Sequence, residues 1–163
     1  MQTKSQDTFE AVANEWFAAK IADKSESYKA RTWRILEKDL FPRIGQISAG
    51  DLTGQMLLAT LRAIEVRTID IAHRAKQTAS QVMRYAVATG RADRDIAADL
   101  TGALKPRSVK HAATLLDPSE IRQLLRSIDA YSGSLIVKSA LQLSPLLFVR
   151  PGELRTMEWK EID

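Results

Sequence analysis

One amphipathic pattern, unbroken from Thr68 to Gly90, limits what this chain can become. At about 100° per residue, Ile71, Ala72, Ala75, Thr78, Ala79, Val82, Met83 and Ala86 fall on one arc. The opposite arc carries His73, Arg74, Lys76, Gln77, Ser80, Gln81 and Arg84. That period predicts a helix over residues 68–89, stopped by Gly90. A helix with one apolar stripe is stable only where other elements cover the stripe.

The rest of the chain supplies helices for that purpose. Asp7-Thr8-Phe9-Glu10 resembles a capping box and opens a helix over 8–22, with Phe9, Val12, Ala13, Trp16 and Phe17 as its apolar stripe. A second helix is predicted over 27–41, stopped by Phe41-Pro42, and a third over about 51–65. A short fifth helix is predicted over 95–101, after the 68–89 helix. With 7 glycines and few alternating apolar runs, the fold class is all-α.

Composition changes at Thr101. Residues 101–111 are basic, interrupted by Gly102 and Pro106, and aperiodic, which marks a linker. Asp117-Pro118-Ser119-Glu120 then starts a further helix, running to about Tyr131 with Ile121, Leu124, Leu125 and Ile128 on one face. Residues 134–147 are apolar on nearly every side and predict a buried helix, ended or kinked near Pro145. A last helix covers 151–158. The division is therefore a helical domain over 1–104, a basic linker over 105–116 and a second unit over 117–163.

Charge narrows the function. Net charge is +4, but residues 1–110 hold 18 Lys and Arg against 13 Asp and Glu, while residues 111–163 hold 6 against 7. The basic excess belongs to the first part and favours a polyanionic partner. The absence of cysteine excludes disulfides, thiolate metal sites and cysteine nucleophiles, and two histidines leave little for a metal site. No metal or other cofactor is expected. No apolar run of about 18 residues exists and the N-terminus lacks a signal-type apolar region, so a cytoplasmic protein without a membrane partner is expected.

Two helix faces are candidate DNA contacts. On the 68–89 helix these are Arg74, Lys76, Gln77, Gln81 and Arg84; Asp70, in the first turn, is the sole acid on that face. A solvated face ordinarily mixes Glu with Lys in i,i+4 pairs. This one offers cations for phosphates and amides for phosphates or base edges. Arg31, Arg34 and Lys38 line up in the same way on the second helix, and Lys105, Arg107 and Lys110 extend the set into the linker. The residues alone leave open that both faces are simply solvated. Trp16, Phe17, Trp33 and Phe41 sit on apolar stripes and read as core.

Near the C-terminus, Phe148-Val149-Arg150-Pro151-Gly152-Glu153-Leu154 places an arginine before a Pro-initiated helix. Arginine is a poor N-cap, because it accepts no hydrogen bond and its charge opposes the helix dipole. A bound anion removes that conflict, since guanidinium and helix N-terminus both point donors at the same oxygens. A solvated arginine in a turn is the other reading.

Three stretches, taken in order, resemble tyrosine recombinases of the phage and genomic-island integrase type. They are VMRYAVATGRADRDIAADLTGALKP (82–106), KHAATLLDPSEIRQLL (110–125) and FVRPGELRTMEWKEID (148–163). The resemblance implies a SAM-like helical core-binding domain, a linker passing along the duplex and the first helices of a catalytic domain. It implies double-stranded attachment-site DNA as partner, with other integrase protomers in the synaptic complex. The implied chemistry is strand cleavage by a tyrosine hydroxyl through a phosphotyrosyl intermediate, without metal, in the integration and excision of mobile DNA. The Arg-x-x-Glu-Leu box makes Arg150 the first catalytic arginine, Glu153 its support and Leu154 a packing residue. The family's catalytic lysine, second arginine, histidines and tyrosine nucleophile are expected beyond residue 163, so this piece is expected to bind DNA without recombining it. A helical transcriptional regulator and a protein–protein adaptor are the alternatives from other classes.

Overall fold

Thr8 stands in extended conformation at the head of the first helix, α1 (Phe9–Lys20), and its Oγ1 accepts from the Ala11 N–H at 3.2 Å. The structure, a computed structural model, describes residues 7–107 and 114–161. The next free donors of α1, Phe9 N–H and Glu10 N–H, go to the carbonyls of Ile47 and Gly45 at 2.8 and 3.0 Å. The loop before the third long helix is thereby tied to the start of the first.

α2 (Glu26–Ile35) does not stop at Phe41-Pro42 as its sequence suggests. The helix widens into a π turn over Leu36–Leu40 and continues as a short α3 (Phe41–Ile44). Pro42 supplies no N–H to this continuing helix, and the wider turn gives its ring room. Leu36, Leu40 and Ile44 are buried along this bend. Asp39, in the same turn, is buried too and accepts from Arg67 Nη2.

α4 (Gly54–Arg67) is capped by Thr53, whose Oγ1 accepts from Met56 N–H at 3.3 Å. A single extended residue, Thr68, separates α4 from α5 (Ile69–Ala88). The apolar arc of α5 is the buried one: Ala72, Ala75, Thr78, Ala79, Val82, Met83 and Ala86 are all inside. Phe9, Leu36, Leu40, Leu57, Leu61 and Met83 make the centre of the core. Trp16, Phe17, Trp33 and Phe41 form a run of edge-to-face contacts, with ring centroids 6.5, 5.1 and 6.1 Å apart, against that core.

Beyond Gly90, at φ 74°, the chain turns back. The predicted fifth helix is only a 3-10 turn, Ala98–Leu100. Asp95 Oδ1 caps it from Ala97 N–H at 2.9 Å, while Oδ2 accepts from the Ser80 hydroxyl on α5. Leu100 and Leu104 bury against the core.

By contacts the chain separates into two units, residues 1–109 and 110–163. In the second, Asp117 Oδ1 accepts from Ser119 N–H at 2.8 Å and starts α6 (Pro118–Asp129). That backbone donor holds the Asp117 carboxyl below the usual carboxylate range. α7 (Leu135–Leu147), α8 (Pro151–Thr156) and a 3-10 turn (Trp159–Glu161) follow. The expected burial of α7 is not found. Ile136 is 82% exposed, and no described residue of α6, α7 or α8 is buried. Two neighbouring helices cannot cover a helix that is apolar all round. α7 ends close to Pro145, as its sequence predicts. It runs two residues further and closes at Phe148, in left-handed conformation at φ 53°. Pro145 has no N–H for the carbonyl four residues back, and the helix ends two residues later. Among the described residues there is no strand, and no helix long and apolar enough to cross a membrane.

Candidate nucleic-acid interface

The polar arc of α5 is split by what lies beside it. His73, Lys76 and Ser80 are half-buried on the side of the returning segment 91–105. His73 Nε2 lies 2.8 Å from the carbonyl oxygen of Lys105, Lys76 Nζ donates to Thr101 Oγ1 at 3.4 Å, and Ser80 is bonded to Asp95. Arg74, Gln77, Gln81 and Arg84 lie on the other part of the arc, and no described residue hydrogen-bonds to their side chains. Arg74, Gln77 and Gln81 line a groove with Tyr28, Arg31, Thr32 and Ile35 of α2. The two basic faces seen in sequence thus meet at Arg31 and Arg74. Gln81 also lines the adjoining groove, with Arg84, Tyr85, Trp16 and Lys20.

Arg34 and Lys38 are exposed and make no ion pair with a described residue, yet they do not line the groove shared with α5. Lys105 and Arg107 belong to a different surface, at the α4–α5 junction. There Glu65 Oε1 accepts the Lys105 backbone N–H at 2.6 Å and Arg107 pairs with Asp70 at 3.4 Å. Acids match cations on that surface, so it attracts a polyanion less than the α2–α5 groove does. Lys110 lies outside the described residues.

Several cations of the first unit are paired. Lys29, Arg67, Arg91, Arg94 and Arg107 each face an acid: Glu26, Asp39, Glu15, Asp99 and Asp70. Arg31, Arg74 and Arg84 face none. Arg91 is the most firmly held, with Nη1 and Nη2 on the two Glu15 oxygens at 2.9 and 2.6 Å and its guanidinium 5.8 Å from the Tyr85 ring centroid. These hydrogen bonds hold the Glu15 carboxyl below its ordinary range and push the Arg91 guanidinium up.

In the second unit, Arg150 is the N-cap of α8 and is 87% exposed. Its conflict with the helix end is met locally. Glu153 Oε2 accepts the Arg150 backbone N–H at 2.9 Å, and Oε1 takes the guanidinium Nη1 at 3.4 Å. This is half of a capping box, the half that does not require the cap residue to accept.

Lys20 and Tyr28 were missed by the sequence reading. Lys20 closes α1 beside Arg84, and Tyr28 sits three residues before Arg31 on the groove side of α2. The i, i+3 spacing of Tyr28 and Arg31 was a usable signal; for Lys20 there was none, because its neighbours come from another helix. Among the described residues no cluster of acidic and histidine side chains could hold a metal ion.

The first unit is therefore an all-α bundle with an unpaired cationic groove on one side. Residues 9–103 match the family of phage integrase central domains, and the chain belongs to that family. It is 36% identical to the integrase of Enterobacteria phage P4 over 96% of its own length and 35% of that protein's. It is 33% identical to the prophage integrase IntZ of Escherichia coli K12, over 95% of this chain and 38% of that one. The chain thus spans well under half the length of the curated relatives it matches. An NMR structure of a fragment of the phage integrase IntS of E. coli aligns with a TM-score of 0.53 and 27% identity, covering 65% of this chain and 98% of that fragment.

Proposed function

We propose that residues 1–104 form the core-type DNA-binding domain of a phage or prophage integrase, followed by a linker over 105–116 and the start of a catalytic domain over 117–163. The domain holds duplex DNA through phosphates at the α2–α5 groove. The observation that carries this reading is the set of cations without acid partners, Arg31, Arg74 and Arg84, gathered on one side of the bundle in two adjoining grooves that no acid lines. Counterion release then supplies affinity that is independent of sequence. Arg34, Lys38, Lys76, Lys105, Arg107 and Lys110 make secondary contacts.

The whole protein joins and excises mobile DNA in the bacterial cytoplasm, working with further integrase protomers on an attachment site. In that reaction Arg150 places positive charge on the scissile phosphate, where it stabilises the transition state. Glu153, already bonded to the Arg150 backbone, holds the arginine at the helix start. This assignment rests on the Arg-x-x-Glu-Leu box.

The test is a fluorescence-anisotropy titration of this 163-residue chain with a duplex of about 30 base pairs at several salt concentrations. The reading expects log affinity to fall linearly with log salt. Absence of binding at low salt refutes it.

A further inference from the structure

Within the α5 face, two uncharged residues occupy the centre. Arg74, Gln77, Gln81 and Arg84 lie within an arc of about 80°, given about 100° per residue. The order along the helix is cation, amide, amide, cation. Ten residues separate the two arginines, an axial rise of about 15 Å. The major groove of B-DNA is about 12 Å wide. A helix laid across it with Arg74 and Arg84 at the two phosphate walls holds Gln77 and Gln81 over its floor.

We propose that Gln77 and Gln81 are specificity-determining residues that read adenines in the major groove, while Arg74 and Arg84 hold phosphates on either side. The proposal rests on the duplex-binding role given above. A glutamine amide carries both a donor and an acceptor, which matches the N6 donor and N7 acceptor that adenine alone presents together on its major-groove edge. Neither amide is committed elsewhere: no described residue hydrogen-bonds to Gln77 or Gln81. Gln81 lines the grooves on both sides of α5, and Gln77 lines the one shared with α2. His73, Lys76 and Ser80, also polar residues of α5, are bonded to the segment that returns beside it. Gln77 and Gln81 are about 6 Å apart along the axis. At about 3.4 Å per base step, the two adenines lie no more than two steps apart.

Selection from a pool of duplexes with a randomised central segment tests this, using the 163-residue chain. The enriched duplex and a scrambled one are then titrated with wild type, Gln77→Ala/Gln81→Ala and Gln77→Glu. Support is an enriched motif with two adenines within two base steps, and a loss on the order of tenfold or more in the enriched-over-scrambled ratio of the double alanine variant. Its salt slope and its affinity for the scrambled duplex stay at wild-type values, which separates reading from folding or phosphate contact. Gln77→Glu, a pure acceptor, moves the preference at one position from adenine towards cytosine. An alanine variant that keeps the full preference overturns the proposal, as does wild-type binding without any preference; both leave the duplex-binding role standing. Absence of all salt-dependent binding overturns that role, and this inference with it.

Discussion

Neutralising three particular arginines is the sharpest perturbation the two adjoining grooves offer. Arg31→Ala/Arg74→Ala/Arg84→Ala removes cations that face no acid, so each is available to a phosphate. Each phosphate contact contributes about 0.9 to the slope of log affinity against log salt on B-DNA. Three contacts lower the magnitude of the slope by about 2.7. Measured from 1 M salt, where the electrostatic term vanishes, that amounts to about 500-fold at 0.1 M and about 80-fold at 0.2 M. The control removes the same charge from paired sites: Lys29→Ala/Arg94→Ala/Lys160→Ala, whose partners are Glu26, Asp99 and Glu158. Exposed ion pairs of this kind add little to stability, so the control folds as the parent does. Anisotropy titrations of both variants at four or more salt concentrations decide the matter. The groove variant loses slope and the control keeps nearly all of it. Equal losses in the two variants mean that net charge alone governs binding, and the argument from unpaired cations is then wrong.

Lys76→Ala changes the slope much less than Arg74→Ala, because Lys76 is half-buried and engaged with Thr101; equal changes in the two titrations refute the split of the α5 face. Arg67→Ala leaves the Asp39 carboxylate, whose side chain is 6% exposed, without its hydrogen-bond partner. Since Arg67 itself is 58% exposed and water reaches its position, the cost is about 1–2 kcal/mol, read as a lower midpoint in urea. Adding Asp39→Leu recovers part of it; a midpoint that stays down refutes the reading of Asp39 as a buried charge in need of a partner. Glu15 has its folded-state pKa depressed by Arg91, so its contribution to stability is present above the unfolded carboxylate range and is lost as pH falls through the folded value. The difference in stability between the parent and Glu15→Gln therefore shrinks on acidification, from no more than about 1 kcal/mol for a half-exposed pair. A gap that widens in acid refutes the sign.

The all-α class was legible because the α5 stripe obeys a period of 3.6 over five turns, and that period has no strand equivalent. The start of α1 was legible for a local reason as well, since Thr8 caps within three residues. What escaped depends on groups distant in sequence. The bend at Leu36–Leu40 is a backbone adjustment that no residue pattern announces, and Phe41-Pro42 alone signals a stop. A helical wheel registers direction from an axis and not what lies there. It grouped Lys76 with Arg74, and only the return of residues 91–105 separates them. The same limit hid the meeting of Arg31 with Arg74.

The meeting of the two basic faces has a cause in the core. Helices approach to 8–10 Å, with the distance set by the side chains at the contact. The buried arc of α5 is built from small residues, Ala72, Ala75, Thr78, Ala79 and Ala86 among them. Where α5 runs beside α2, the floor of the groove consists of Thr32, Ile35 and Thr78, and two of these three are short. Large residues there would separate the helices and leave two stripes of charge, each solvated alone. With short ones, Arg31 and Arg74 line one groove, where a backbone phosphate meets both fields at once. Like charges brought together repel, and no acid stands between them to offset it. A bundle selected for stability alone would place a glutamate at position 77, within helical reach of Arg74 and close to Arg31. Glutamine there keeps the hydrogen-bonding reach and omits the charge, which preserves the positive field for an anion from outside.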